Sequence, residues 1–372
     1  MPADAHLSPS TVSITPAVPE GAATHRLPAE PDSCFWGYLS PEVEPVLTVA
    51  SGDIVEVEAL THHAGDAPDL LMDDGIRAVW DAIDPADRGP GVHIMTGPIA
   101  VEGAQPGDTV AVTILDMAPR LPYGSNCAAN WGLLYDTYDK ERITIYELVD
   151  AAGGGLGEGA FGRIAQPSFG FDFTELPLYD VPGVITPPDD SARQPFTREV
   201  AVPVRPHFGV CGVAPPEPGR ISSIPPGVFG GNVDNWRLGP GATMYYPVFV
   251  EGARLYVGDP HFAQGDGEIC GTAIEASLDA RIRIDLVKDL PLSSPLLETE
   301  SHWFTHGFGD DLDAAMRMAA EQMLDLLVER FGCSRDDAYS LASVAIDLGV
   351  TQVVDGTLGC HAGIDRSILV GG

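Results

Sequence analysis

Gln105-Pro106-Gly107-Asp108-Thr109-Val110-Ala111-Val112-Thr113-Ile114 opens as a turn and continues with apolar residues at every second position. Pro-Gly-Asp is turn chemistry, and a period of two belongs to a half-buried strand. Leu47 to Glu58 has the same form, with Gly52-Asp53 followed by Ile54-Val55-Glu56-Val57-Glu58. Pro240-Gly241-Ala242-Thr243, leading into Met244 to Val250, repeats it a third time. With 42 glycines and 33 prolines punctuating short apolar runs, the body up to about Leu290 reads as a β-sandwich or barrel. The tail changes period. Asp310 can cap a helix in which Leu312, Met316, Met323 and Leu327 recur at helical spacing, ending at Gly332. Ser334, with Asp337 three residues on, starts a second helix through about Asp347. The expected fold class is therefore α+β, predominantly β, with a C-terminal helix pair.

The expected organisation is a Pro-rich arm over 1–33, a β-rich stretch with an irregular insertion over 34–205, a β-rich stretch over 206–300 carrying the site, and an α+β region over 301–372. Ala151 to Gly157 reads as a loop, and Pro182 to Pro195 as an exposed connection. The net charge of −34 argues against nucleic acid and anionic membrane surfaces as partners. No apolar run approaches the length of a bilayer crossing, and Met1 to Pro31 lacks the pattern of a secretory signal. A cytoplasmic protein is expected. Six scattered cysteines without a CxxC pair do not form a disulfide framework.

A polar knot interrupts the apolar pattern at Val257-Gly258-Asp259-Pro260-His261-Phe262-Ala263-Gln264-Gly265-Asp266-Gly267-Glu268, with the apolar Ile269 to Ile274 beyond it. Polar clusters between buried strands are costly unless paired or bound to something. Asp259 and His261 are two apart, so a strand points both to one face, as the start of a site for zinc or a similar first-row ion. Asp-Pro and Gly-Asp-Gly are also ordinary turn chemistry, which leaves a purely structural turn as the alternative.

The sequence is similar to the acetamidase/formamidase family of short-chain amide hydrolases. The resemblance is carried by Thr96 to Asp108, by His207-Phe208-Gly209-Val210-Cys211-Gly212-Val213-Ala214-Pro215, by Gly230-Gly231-Asn232-Val233-Asp234, by Tyr246 to Ala253, and by the knot from Gly258 to Glu268. It implies hydrolysis of a small linear amide, formamide or acetamide class, to ammonia and a carboxylate, by a homo-oligomer. A serine–serine–lysine or cysteine–glutamate–lysine centre would need a lysine, and the chain has only Lys140 and Lys288. Metal-activated water needs only carboxylates and imidazoles around a divalent ion, with zinc the expected cofactor. Asp259, His261, Asp234 and, from the His62-His63 pair, His63 are the expected ligands. Glu268 is the expected general base with Asp266 in reserve, while Gln264, Asn232 and His93 are candidates to hold substrate. Cys270, read as part of a buried strand, is a weaker candidate nucleophile. The aromatic stretch from Leu121 to Arg142 could wall a pocket for a bulkier acyl or aryl group, or could be core. The alternatives are an esterase, carbamate or aryl-amide hydrolase using the same site, and a non-catalytic, metal-stabilised β-sandwich binding module.

Overall fold

The computed structural model describes residues 21–138, 141–149, 161–164, 170–173, 198 and 200–368. The loop at Ala151 to Gly157, the connection at Pro182 to Pro195, Lys140 and the first twenty residues of the arm lie outside them.

The Gly-Asp turns act as expected. Gly52 and Gly107 each adopt φ +95, and each aspartate then ties its turn together. Asp53 accepts from the amides of Ala23 and Ala50, and Asp108 accepts from the Gln105 amide at 2.8 Å. The strands they launch, Ile54–Ala59 and Thr109–Pro119, lie in one nine-stranded sheet. Its order is Thr24–Leu27, Ile54–Ala59, Leu278–Val287, Thr109–Pro119, Thr243–Pro247, Leu296–Glu298, His302–Gly309, Leu358–Asp365, Ile346–Gln352. Half-burial holds for Ile54–Ala59 but fails for Thr109–Pro119, which is buried on both faces over its first half. Val110, Val112 and Ile114 face the core shared with the second sheet, while Ala111 faces the C-terminal helices. The third strand stops at Pro247 rather than Val250, because Val248 pairs instead with the Gln105–Asp108 turn through Asp108 O and the Gly107 amide.

The second large sheet has twelve strands. Its central member, Leu255–Ala263, is buried along its whole length. It pairs antiparallel with His207–Gly212, Ile94–Val101 and Ile274–Glu275. Both sheets draw strands from 34–205 and from 206–300, and neither closes into a barrel.

Asp311, not Asp310, caps the first tail helix, accepting from the Ala314 amide at 2.8 Å. That helix, Leu312–Phe331, ends at Gly332 with φ +69. It lies on strand His302–Gly309, where Thr305 Oγ1 donates to Ala319 O at 2.7 Å. Ser334 caps Arg335–Ala345, which ends two residues earlier than expected as the chain turns into the edge strand Ile346–Gln352. None of the described helices is long and apolar enough to cross a membrane.

Candidate active site

The strand Leu255–Ala263 delivers Asp259 and His261 to one place, as period two requires, with His261 Nε2 3.1 Å from Asp259 Oδ2. Its neighbours supply the rest. Cross-strand register sets His207 and Glu275 opposite His261, and Glu275 Oε2 lies 3.2 Å from His261 Nε2. Asp234 follows the strand Gly230–Asn232, and Glu268 is the last residue of the knot. Asp259, Asp234 and Glu268 sit at φ 48, 53 and 44, a left-handed backbone that costs free energy outside glycine and collects at functional sites.

The knot is anchored to the other large sheet. Gly267 donates to Thr351 O at 2.9 Å, and Val353 donates to Gly267 O at 3.1 Å. Just beyond, Gln352 Oε1 accepts from the amides of Val354 and Asp355, which turns the chain back and brings Asp355 to the cluster.

Proton bookkeeping on His261 is informative. His207 Nδ1 lies 2.6 Å from Arg205 O, a carbonyl that can only accept, so Nδ1 carries the proton. His207 Nε2 is then an acceptor. Of its neighbours, Gln264 Oε1 at 3.1 Å has no proton, so His261 Nδ1 at 3.0 Å must donate. A neutral His261 would therefore aim a bare Nε2 at two carboxylate oxygens. Three acceptors converge there, and only a proton or a cation can join them.

Nearby lie further unsatisfied atoms. His62 Nδ1 is 3.7 Å from Asp259 Oδ1 and His93 Nε2 is 3.7 Å from Asp259 Oδ2, too far for hydrogen bonds. Asp259 Oδ1, both Asp234 carboxylate oxygens, Asp355 Oδ2 and His62 Nδ1 are buried without hydrogen-bond partners. Ligating atoms of three sets lie within 4.8 Å of one another: His62, His93 and Asp259; Asp234, His261 and Glu268; Asp259, His261 and Glu275.

The titration pattern follows. Burial and then the Asp259 charge push the Asp234 carboxyl up to about 7. Burial, reinforced by Asp234, raises Glu268 and Asp355 well above the usual carboxylate range. Against its burial, Asp259 is held low by His261 and His93, and against its own burial His261 is lifted by Glu275 and Asp259. A divalent cation would reverse the carboxyl directions by favouring every ionised form.

A cavity of about 90 Å³ opens onto this cluster. His62, His93, Asp259, Glu268, Glu275 and Asp355 form its polar side, and Trp80, Trp131, Val92 and Ile224 its apolar side.

Each expected site residue can now be placed. Asp259, His261, Asp234 and Glu268 come together, and His93 joins them with Nδ1 bonded to Ser223 Oγ at 2.9 Å. His62 rather than the favoured His63 belongs to a donor set, since the chain leaves its strand in a 3₁₀ turn, His62–Asp66, instead of continuing extended. His63 Nδ1 pairs with Asp66 at 2.9 Å, and Asp66 lifts the imidazole, against burial, to about 9. Asn232 lines the cavity. Gln264 turns its amide inward, donating to Asp234 O at 2.7 Å, and braces the cluster. Asp266 points out of the site, bonded to Trp236 Nε1 at 2.7 Å and paired with Arg237 at 2.9 Å. Asp266→Asn is accordingly expected to keep catalytic efficiency within about twofold in steady-state assays, since exposed pairs contribute little.

Cys270 is in a turn, not a buried strand: Ile269 is 56% exposed, and strand structure resumes only at Ile274. Its sulfur accepts from Asn126 Nδ2 at 3.2 Å. The six cysteines are free thiols. Lys288 binds Asp108 at the surface, away from the cavity. Glu275, Asp355, Trp80 and the bracing His207 were not named as site residues from sequence, and His62 was named only as the less favoured member of its pair. Glu275 carried a faint signal, a lone charge in an apolar run of strand residues.

Two open sheets stitched together at a buried nest of acids and imidazoles define a class of mainly β, α+β protein. The chain belongs to the acetamidase/formamidase family, whose profile matches residues 24–218 and 216–362. It is 30% identical over 288 residues to a formamidase of Methylophilus methylotrophus, covering 71% of this chain and 67% of that one. It is 31% identical over 283 residues to an acetamidase of Mycolicibacterium smegmatis, covering 67% of this chain and 64% of that one. The chain thus matches about two thirds of the length of these curated relatives. The crystal structure of an acetamidase from Yersinia enterocolitica superposes with a TM-score of 0.70 at 29% identity, covering 94% of each chain.

Proposed function

We propose that this protein hydrolyses a small linear amide, of the formamide or acetamide class, to ammonia and the carboxylate, using a divalent cation. The carrying observation is the donor set His62, His93 and Asp259 on the wall of a small cavity, with His62 Nδ1 and Asp259 Oδ1 buried and unpartnered. His62, His93 and Asp259 all line that cavity and would hold the ion there, with His261 and Glu275 supporting Asp259 from behind. A mixed nitrogen and oxygen donor set suits zinc; calcium prefers oxygen alone, which weighs against a calcium-stabilised binding module. When bound, such an ion polarises a carbonyl oxygen and lowers the pKa of water.

The protein's own groups do the rest. Glu268, buried at the cavity wall, takes a proton from the attacking water and returns it to the departing nitrogen. Trp80 and Trp131 limit the acyl group and exclude bulk water. At about 90 Å³ the cavity is smaller than the roughly 150 Å³ that accommodates a benzene ring, which favours a short acyl chain over an aryl group. The similarity to a formamidase and an acetamidase supports the same substrate size.

The test is ammonia release from amides graded from formamide to benzamide, before and after chelation, with metal add-back. Release from the smallest members that disappears with the metal and returns with zinc is expected. Release that persists in protein proven metal-free overturns the cation, and activity confined to benzamide overturns the substrate class.

A further inference from the structure

Asn232 is a neutral cavity residue whose side-chain hydrogen bonding is left half complete. It is 2% exposed, at the end of strand Gly230–Asn232, and lines the cavity beside Ile224. Its Nδ2 donates to Ile224 O at 3.1 Å, which fixes the orientation of the side-chain amide because a backbone carbonyl can only accept. Its Oδ1 is buried and has no partner. A buried carbonyl without a donor carries a desolvation cost that a ligand N–H would relieve.

The surrounding chemistry sharpens this. Glu268, Glu275 and Asp355, on the polar side of the same cavity, are acceptors when ionised. A primary carboxamide brings two N–H donors into such surroundings. An ester of the same shape brings an alkoxy oxygen, a further acceptor, and meets repulsion where the amide meets a hydrogen bond. Sites built to bond a substrate N–H discriminate strongly against analogues without one, because the buried partner is then stranded.

We infer that Asn232 Oδ1 accepts a hydrogen bond from the leaving amino group and is a residue by which the site selects unsubstituted amides over esters. This rests on the amide-hydrolase reading above and adds to it the part of the substrate that is recognised. The interaction concerns the nitrogen that departs as ammonia, so it is independent of how the acyl group is accommodated.

The experiment compares kcat/KM for acetamide and methyl acetate in the wild-type holoenzyme and in Asn232→Leu, which keeps the branched shape and removes the acceptor together with the donor to Ile224 O. The ratio of the two constants, taken on one preparation, is insensitive to the fraction of correctly folded enzyme. Asn232→Ala, which needs no new space, serves if the leucine variant is not recovered. The amide-to-ester ratio is expected to fall roughly 10- to 100-fold, the range for losing one buried hydrogen bond, with bound metal unchanged. An unchanged ratio, with amide and ester activities reduced together, overturns the inference, as does loss of metal from the variant. A wild-type enzyme inactive on both substrates removes the amide-hydrolase reading and this inference with it.

Discussion

Glu268→Gln is expected to lower kcat for a small amide by about 10²- to 10⁴-fold, the usual contribution of a positioned proton carrier. Glutamine keeps the shape of the side chain and cannot exchange a proton. The turn that presents Glu268 does not need its carboxylate: its amide donates to Gly265 O at 3.1 Å, and its carbonyl accepts from Gly271 at 2.8 Å. Glu268 is 6% exposed and lines the cavity. The loss should therefore fall on kcat, with a smaller change in KM and with metal content retained. Elemental analysis of the variant separates two roles: a variant that arrives without metal has lost a ligand, not a base.

Gly209→Ala is expected to lower kcat/KM by about 10²-fold or more and to reduce stability by about 1–3 kcal/mol. Gly209 lies in strand His207–Gly212, against the cluster. A Cβ there would run into Asp259 Oδ2, and would stand 2.7 Å from both Asp234 Oδ1 and His261 Cε1. None of these can easily retreat. Asp259 and Asp234 are already held in left-handed backbone, and His261 is bonded on both sides of its ring. An alanine must spread the three groups whose convergence the site depends on. Gly265→Ala is the control, because a Cβ at Gly265 meets nothing within 4 Å. Urea denaturation and steady-state kinetics on the two variants should differ sharply; equal behaviour would mean that the cluster tolerates being spread.

How much of this the sequence revealed depended on the range of the interaction. The Gly-Asp turns, the helix cap at Ser334 and the stop at Gly332 are decided within a few residues, and they were legible. Asp259 and His261 were legible for the same reason, since one strand carries both. His62, Glu275 and Asp355 reach the site through a 3₁₀ turn, a cross-strand register and a Gln352-held turn. Nothing local distinguishes Glu275 and Asp355 from surface acids, or decides which of the two adjacent histidines reaches the site. Thr109–Pro119 hid its double burial similarly, because the helices that cover its second face lie two hundred residues downstream. Asp266 misled in the opposite direction: its neighbourhood looked functional, but Arg237 and Trp236, distant in sequence, draw it outwards.

The backbone link from Gly267 to Thr351 and Val353 bears on how the protein is made. During synthesis Asp234, Asp259, Glu268 and Glu275 all leave the ribosome well before Asp355 and the strand that holds the knot in place. Strand pairing sets Glu275 opposite His261 without that link, but Asp355 is then still missing from the cavity wall. The cluster is consequently completed only near the end of the nascent chain, and a transcript truncated shortly before codon 351 would encode most of the strands without the link that holds the knot.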